Sequence, residues 1–534
     1  MSPTVGHLPD EMRPHVCLIV GDPIDHDTRV RKTAQSLASA GLRVTVVDVS
    51  TDGRYRERRL DGLFDVVDIP VEFLLKQRQV ERRRFRRWLL VPVGYGTLLA
   101  HRAELRRRDV AFAELLASEG RALVDVKDSA PRRIPWLTVR QQQRSAIRAY
   151  YGLRRTVTLV RGKARPLYTM SPTWLSALRS HTAAFGGGWR RLLPEYLDLE
   201  SAFGPVLDNL DPSVIHANDV NMIGIAERAA ARARLRGRCV RWIYDAHEYV
   251  PGMARYRRDR LVGMALHEQE YIGAADAVLT VSEPLADALQ ARCKLMERPA
   301  VVANAPRLRR LALDQPPSVR ASLGLPDHVP LLVYSGNIGA DRGLTTLVQA
   351  LPLLPGLHAA IITNEPPENR YIRILDALAT SGDVRERLHF LPYVPGDVIV
   401  EFVSSASVAF LGLISVPSHR FALPGKYFDY MHAGLPVVMS DIGLVAEMTT
   451  TLGNGELYRA GDPVALAEAV RAVLAAPMRY RHPLRDQALL RHWSWERQEQ
   501  VLTEVYSRLL GLRVRPGAVT GESWVNGMGG TSGS

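Results

Sequence analysis

The chain has 534 residues, which is enough for two or three domains that each enclose their own core. Its hydrophobic content of 46% and charged content of 23% are ordinary for a soluble globular protein and unlike those of a disordered chain. The net charge of +13 is unevenly spread, because residues 76–108 hold eleven Lys and Arg against two Glu, a local charge of +9.

Cysteine usage and the first residues favour a reducing cytoplasm. The three cysteines, Cys17, Cys239 and Cys293, are far apart and form neither a disulfide framework nor a metal-ligand pattern. The N-terminal segment lacks the apolar core of a signal peptide. The most conspicuous apolar run, residues 88–100, is too short to span a bilayer.

The predicted elements begin with a strand–helix–strand unit. A buried-strand run over 15–20 is followed by a polar loop, an amphipathic helix that Gly41 would end, and a second strand over 43–49. The loop has one glycine where a dinucleotide fingerprint needs three. Asp25 and Asp27 form a D-x-D pair that could suggest a metal, but an aspartate just before a helix is usually its N-cap.

The alternation of strands and helices is interrupted once in the first half. After a third strand over 65–70, residues 72–195 are Arg-rich, partly helical and poor in strand signals. The β-rich runs PSVIHAND, CVRWIYDAHE, DAVLTVSE and PAVVANAP then resume the alternation, which predicts a parallel doubly wound sheet. Residues 304–328 lack strand character and are predicted to form a linker.

A second series of strands begins at PLLVYSG (330–336) and runs to ELYRAG, separated by helical segments. It predicts a second doubly wound domain over 311–495, after a first domain over 1–310. A final helix, from about Trp495 to Leu510, lies in a C-terminal segment over 496–514. The Gly/Ser-rich tail, 515–534, is predicted to be disordered.

Two such domains would place a ligand cleft at the carboxyl ends of both sheets. In the stretch FALPGKYFDYMHAGLP, Pro424 and Gly425 start a helix whose first N–H groups suit a phosphate, and Lys426 adds a positive charge. Asp429, almost one turn later, could accept hydrogen bonds from the vicinal hydroxyls of a ribose. A solvated Lys–Asp pair that only supports the helix explains the stretch equally well.

Two other loops offer weaker signals. In SGNIGADRGL, Gly336 permits close backbone approach and Arg342 could bind a diphosphate, although the glycines could serve turn geometry alone. YDAHE places Asp245, His247 and Glu248 beyond a strand of the first domain, where they could face the cleft or cap the next helix. The sequence contains no zinc-ligand spacing, nucleophile elbow or P-loop.

The motifs resemble, in their order and spacing, those of family-4 glycosyltransferases of the GT-B architecture. The resemblance covers about 15–50 and 196–510, and rests on D-x-R-V (27–30), VIHAND, YDAHE, VSEPLADAL, VVANAP, YSGNIGADRGL and LPGKYFDYMHAGLPVVMSD. It implies two Rossmann-like domains facing across a cleft, the first holding mainly the acceptor and the second the nucleotide-sugar donor.

The resemblance implies three sets of site residues. Those implied to bind the donor are Gly336, Asn337, Arg342, Val394, Arg420, Pro424, Lys426 and Asp429. Those implied for the acceptor and sugar side of the cleft are Gly21, Asp27, Arg29, Asp219, Asp245 and Glu248. Those implied to act in catalysis are His247, near the transferred sugar, with Arg342 and Lys426 at the leaving diphosphate.

The chain departs from the family at two positions. Many members carry a Glu eight residues before the position of Asp429, and Phe421 stands there instead. Of the two cations in the family's diphosphate pair, Asn337 replaces the first and Arg342 matches the second, so that Lys426 or Arg420 would supply the missing charge.

The basic segment 76–108 surrounds an apolar run containing Trp88 and Tyr95. This pattern favours binding to an anionic membrane surface, at about 1 kcal/mol for each basic residue near the lipid. Nucleic acid is the competing polyanion, but no nucleic-acid reading module is visible and no specific nucleic-acid partner is expected. An ordinary solvated basic helix is the third alternative.

Together these features predict a retaining glycosyltransferase that moves a sugar from a nucleotide-sugar donor to a lipid-linked or polysaccharide-precursor acceptor. It would act in cell-envelope polysaccharide synthesis, in the cytoplasm at the inner face of the membrane. No metal or other cofactor is expected, because cations and helix N-termini can stabilise the departing diphosphate. The alternatives are a nucleotide-sugar epimerase or hydrolase, and a non-catalytic scaffold that binds a sugar nucleotide.

Overall fold

The computed structural model describes residues 4–81, 188–254, 256–308 and 318–517. Most of the predicted basic insertion (72–195), most of the C-terminal tail (515–534) and part of the linker (304–328) lie outside the described residues. The predictions made for them therefore stay predictions.

The first domain is built on an eight-stranded sheet. Its strands in chain order are β1 (His15–Ile19), β2 (Arg43–Val49), β3 (Arg56–Leu60), β4 (Phe64–Ile69), β5 (Val214–Asn218), β6 (Arg241–Ala246), β7 (Ala277–Thr280) and β8 (Ala300–Val301). They lie in the order β3-β4-β2-β1-β5-β6-β7-β8, and all neighbours are parallel except β3 with β4. Because the central strands are buried on both faces, apolar residues predominate in them.

Helices cover both faces of this sheet. They are α1 (Thr28–Ser39), α2 (Gly188–Leu192), α3 (Glu195–Leu210), α4 (Ile223–Leu235), α5 (Arg258–Tyr271) and α6 (Glu283–Cys293). Helix α1 begins where Asp27 Oδ1 accepts hydrogen bonds from the N–H groups of Arg29 and Val30, both at 3.0 Å. Its chain reverses at Gly41, whose φ of +91° favours glycine.

The second domain repeats this plan with six parallel strands. They are β9 (Leu331–Ser335), β10 (His358–Ile362), β11 (Leu388–Leu391), β12 (Val408–Leu411), β13 (Val437–Ser440) and β14 (Gly455–Tyr458), in the order β11-β10-β9-β12-β13-β14. The helices are α7 (Val319–Ser322), α8 (Leu344–Ala350), α9 (Arg370–Ser381), α10 (Ile399–Val403), α11 (Gly425–His432), α12 (Gly443–Leu452), α13 (Pro463–Ala475), α14 (Pro477–Arg481) and α15 (Gln487–His492). Separate apolar clusters fill its two faces.

The last helix, α16 (Trp495–Leu510), returns to the first domain. Trp495 is fully buried among first-domain side chains, and its Nε1–H donates to Ser36 Oγ at 2.8 Å. Leu502 and Val505 extend the same apolar cluster. The helix therefore covers one face of the first sheet, although the second domain precedes it in the sequence.

Each predicted strand run overlaps an observed strand, although some strands are shorter than the predicted run. One further strand, β3, was not predicted. Its sequence RERRL has a single apolar residue, and it is an exposed edge strand that pairs antiparallel with β4. An edge strand buries little on either face, so hydrophobic periodicity gives no signal for it.

Across the part of the chain that the structure describes, no helix combines the length and the apolar character needed to cross a membrane.

Candidate active-site cleft

A cleft of about 800 Å³ lies between the two domains, at the carboxyl ends of their strands. The first domain, the linker and α16 contribute one wall, and the loops after β9, β10 and β11 together with α11 contribute the other. A smaller cavity of about 130 Å³, which we call the side cavity, adjoins it. Arg342 lines both spaces, so the two are neighbours within one site.

The loop after β9 brings a glycine against a cation. The Ser335 N–H donates to Tyr430 Oη at 2.9 Å, which ties the end of β9 to α11. Gly336 follows with a φ of +113°, and a β-carbon there would lie 2.8 Å from Lys426 Nζ. The same Nζ lies 3.9 Å from the ring centroid of Tyr334. The backbone geometry therefore favours glycine, and the absence of a β-carbon leaves room for the Lys426 ammonium group in its present position.

Arg342 ends a short 3-10 turn, Ala340–Arg342, that precedes α8. Its side chain is 24% exposed, and its Nε lies 3.6 Å from the carboxylate of Asp341. Gly343 has a φ of +64°, and a β-carbon there would lie 3.0 Å from the backbone of Gly412. This close packing fixes the turn and directs Arg342 to the junction of the cleft and the side cavity.

Helix α11 begins at Gly425 with Pro424 at its N-cap position, where no side chain caps the first N–H groups. Pro424, Gly425, Lys426 and Asp429 all line the cleft, as predicted. A β-carbon at Gly425 would lie 2.9 Å from the backbone oxygen of Asn304 in the linker, so the start of the helix packs directly against the interdomain crossing.

One face of α1 also lines the cleft, and the sequence prediction missed it. Thr28, Arg31, Lys32 and Gln35 recur at helical spacing along that face. Arg31 and Gln35 both donate to Asp61 Oδ2, at 3.0 Å and 2.7 Å. The polar stripe at positions 28, 31, 32 and 35, opposite the apolar stripe of the same helix, was the signal that could have revealed them.

Lys32 is the cation of this face that approaches the predicted ribose site. Its Nζ donates to the backbone oxygen of Ala305 at 2.5 Å and lies 4.8 Å from the ring centroid of Trp495. Burial lowers the pKa of Lys32, an effect that the carboxylate of Asp429 opposes. Burial raises the pKa of Asp429, and Lys32 followed by Lys426 opposes that shift.

Behind the cleft, two residues predicted to face the acceptor bind each other instead. Arg29 is buried and donates from Nε and Nη2 to the two carboxylate oxygens of Asp245, at 2.8 Å and 2.7 Å. Its Nη1 donates to the backbone oxygen of Val302 at 2.6 Å. On the other side of Asp245 lies His216, whose Nδ1 is hydrogen-bonded to Tyr506 Oη of α16 at 2.9 Å.

His247 lies at the end of this network. Its Nδ1 is 3.3 Å from Asp219 Oδ1, and its Nε2 is 3.4 Å from Asp245 Oδ2. Burial alone would lower the pKa of His247, but the two carboxylates raise it well above its usual range. The ring lines the side cavity together with Glu248 and Arg342. The structure thus brings the predicted catalytic histidine and a predicted diphosphate cation to one cavity.

The remaining first-domain candidates have local contacts. Asp27 lines the cleft while capping α1, so the N-cap interpretation holds for its side chain. Gly21 packs against Asn221, because a β-carbon there would lie 2.1 Å from Asn221 Nδ2. Asp219 has a φ of +67° and is the turn residue that places its carboxylate beside His247.

The remaining second-domain candidates divide into two groups. Asn337 and Val394 line the cleft. Arg420 is exposed, and it is not among the residues that line the cleft or the side cavity. Of the two side chains proposed to replace the missing cation, only Lys426 therefore lies in the described site.

Phe421, which replaces the family's first Glu, packs across the domain boundary. Its ring centroid lies 4.9 Å from that of Tyr249, and its backbone oxygen accepts a hydrogen bond from Ser282 Oγ at 2.8 Å. Both partners belong to the first domain. The position thus supplies an aromatic wall of the side cavity in place of a carboxylate.

The described residues contain no group of three or more His, Cys, Asp or Glu side chains arranged to hold a metal ion. Metal-independent chemistry stays a prediction.

The comparisons with known proteins agree with this architecture. Residues 329–476, most of the second domain, match the family model described as glycosyl transferases group 1. A D-inositol 3-phosphate glycosyltransferase of Xylanimonas cellulosilytica is 26% identical over 255 residues, which is 46% of this chain. That match spans 60% of the length of the relative.

Two solved structures share the fold over nearly the whole chain. Sucrose-phosphate synthase from Thermosynechococcus elongatus superposes with a TM-score of 0.57 at 17% identity, covering 93% of this chain and 100% of that one. A trehalose-6-phosphate protein from E. coli, bound with UDP-2-fluoro glucose, gives a TM-score of 0.53 at 10% identity, with coverage of 94% and 100%.

These findings confirm the predicted resemblance: the chain has the GT-B fold, and its residues 329–476 match the family model of glycosyl transferases group 1.

Proposed function

We propose that the protein is a retaining glycosyltransferase that transfers a sugar from a nucleotide-sugar donor to a lipid-linked or polysaccharide-precursor acceptor. The observation that carries the proposal is the junction at Arg342. There a cleft lined by Lys426, Asp429 and the N-terminus of α11 meets a cavity lined by His247. A nucleotide in the cleft would present its sugar to the side cavity, in a domain that matches the glycosyl transferase family.

The residues suit the charge that develops in such a reaction. As the bond between the sugar C1 and the diphosphate breaks, negative charge grows on the leaving oxygen, and Lys426, Arg342 and the helix N-terminus would stabilise it. The bond from C1 to the acceptor oxygen forms on the same face of the sugar, and the acceptor proton passes to the departing diphosphate. This route requires neither a metal ion nor a covalent enzyme intermediate.

His247 would orient the transferred sugar. Held between Asp219 and Asp245, its ring is fixed, and the two carboxylates raise its pKa well above the usual range. Because both ring nitrogens face carboxylates, the ring would position the sugar by packing against it rather than remove a proton from the acceptor.

The donor is tested first with purified protein and a panel of UDP-, GDP- and ADP-sugars. The donor should raise the thermal unfolding temperature and should be hydrolysed slowly to sugar and nucleoside diphosphate, in the presence of EDTA. NMR should detect the sugar released with its original anomeric configuration. Binding without turnover would indicate the scaffold alternative, and isomerised sugar still attached to nucleotide would indicate an epimerase.

The membrane half of the proposal rests on the +9 charge of residues 76–108 around an apolar run. Cosedimentation with vesicles of graded anionic content tests it, comparing the wild type with a variant in which Arg82, Arg83, Arg84, Arg86 and Arg87 become Ser. Binding should weaken from 0.1 M to 1 M salt, as the Debye length falls from about 10 Å to about 3 Å. Equal, negligible binding of both proteins would reject it.

A further inference from the structure

The chain passes between the domains twice, first in the linker and again just before α16. Lys32 lies where these two crossings meet the cleft. The backbone oxygen that accepts its hydrogen bond belongs to Ala305, in the first crossing, and the ring beneath its ammonium group belongs to Trp495, just after the second. Because both crossings contact this side chain, a change in the relative position of the domains would change its position. It is also in the first domain, whereas every residue predicted to bind the donor is in the second.

Asp429 faces the same cleft from α11 of the second domain. Burial raises the pKa of Asp429 and lowers that of Lys32, and each charge opposes the shift of the other. Both side chains are half-buried on opposite walls of a cavity of about 800 Å³. The cleft thus presents a cation and an anion to whatever occupies the space between them.

A ribose is the part of a nucleotide that suits such a pair. A hydroxyl group donates one hydrogen bond and accepts others, so vicinal hydroxyls can bind a carboxylate and an ammonium group at the same time. A phosphate would gain from Lys32 but would be repelled by Asp429, and Lys426 and Arg342 already suit the diphosphate. The cleft therefore suits a division in which Lys32 binds the ribose while Lys426 and Arg342 bind the diphosphate.

We propose that Lys32 is a donor-binding residue supplied by the first domain, which holds the ribose together with Asp429 and so couples nucleotide binding to the position of the two domains. The inference rests on the proposed nucleotide-sugar donor. It adds a contact from the opposite domain to the donor site.

The test measures nucleotide affinity by calorimetry, with whichever of UDP, GDP and ADP binds the wild type most tightly. Lys32→Met and Asp429→Asn should each weaken that affinity about 10- to 100-fold, as expected for a lost hydrogen bond to a charged group. Because both residues bind the same ribose, the loss of nucleotide affinity in the double variant should be much smaller than the product of the two single losses. Fully multiplicative effects would overturn the proposed partnership.

The 2′-deoxy and 3′-deoxy forms of the same nucleotide provide a readout that a purely structural role would not change. The wild type should bind at least one of them about 10-fold or more weakly than the ribose form, and Lys32→Met should lose that discrimination. Lys294→Met, at an exposed lysine after α6 of the same domain, is the matched control and should behave as wild type. Retained discrimination in Lys32→Met would overturn the inference.

Amine acetylation of the wild type, read by mass spectrometry, answers the same question if Lys32→Met does not fold. The nucleotide should protect Lys32 and leave the labelling of Lys294 unchanged. If a bound nucleotide leaves the labelling of Lys32 unchanged, this inference is overturned while the proposed function stands. A wild type that binds none of the three nucleotides would instead overturn the proposed function, and this inference with it.

Discussion

On the first-domain side of the site the charged residues bind one another, whereas on the second-domain side they line the space that a ligand would occupy. Arg29, Asp245 and His247 form one continuous network behind the cleft. Lys426 and Asp429 lie on the cleft wall itself. The difference separates two tasks, because the first domain fixes the position of one histidine while the second supplies contacts for a nucleotide.

This comparison makes opposite predictions for substitutions in the two domains. Changes in the buried network should reduce stability, since a charge that loses its partner in the interior remains costly. Changes on the second-domain wall should reduce donor turnover and leave the fold intact, because those side chains are partly exposed. Four experiments test the contrast, from the largest effect to the smallest.

Arg29→Met should lower the free energy of unfolding by about 3–5 kcal/mol, because it leaves the Asp245 carboxylate without its bidentate partner in the interior. Denaturant unfolding measures the loss. Arg43→Met, at an exposed position of β2, is the control and should change stability by no more than about 0.5 kcal/mol. A loss below about 1 kcal/mol in Arg29→Met would mean that the network is not structural.

Lys426→Ala and Arg342→Ala should each lower the donor turnover rate about 100- to 1000-fold, which corresponds to about 2.7–4 kcal/mol of transition-state stabilisation. Their unfolding temperatures should stay close to that of the wild type. Arg491→Ala, at an exposed site on α15, provides a control of the same charge change. Turnover at the wild-type rate would place the diphosphate elsewhere.

Asp219→Asn should lower the pKa of His247, since it removes one of the two carboxylates that raise it. Asparagine tolerates the left-handed backbone at position 219, so the variant keeps the local turn. Because His247 would then lose its proton at lower pH, the alkaline limb of the pH profile of donor hydrolysis should shift to lower pH. An unchanged profile would show that the rate does not depend on the charge of His247.

Tyr506→Phe should cost about 0.5–1.5 kcal/mol of unfolding free energy, since it removes one buried hydrogen bond to His216 and leaves the aromatic ring in place. The donor-hydrolysis rate should change less than twofold, because two residues separate Tyr506 from the ring of His247. A large loss of activity with normal stability would reveal that α16 tunes the site directly.

Local sequence signals predicted much of this architecture. Buried parallel strands are rich in apolar residues, and Asp27 before α1 is an N-cap recognisable from the sequence. Helix α11 and its cluster of Pro424, Lys426 and Asp429 were also predicted, since all three lie within six residues.

Pairings between distant residues could not be predicted in this way. Arg29 and Asp245 are 216 positions apart, and each reads by itself as a polar residue near the cleft. Lys32 was missed for a related reason, because its importance depends on Ala305 and Trp495, which the fold brings to it from two other segments.

The return of α16 to the first sheet has a consequence for how the protein is made. Trp495, Leu502 and Val505 cover an apolar face whose strands begin at His15, so a ribosome must add almost the entire described chain before that face is shielded. Until then the nascent first domain exposes a surface that chaperones recognise and that aggregates readily. The domain that is synthesised first is therefore the last to be completed.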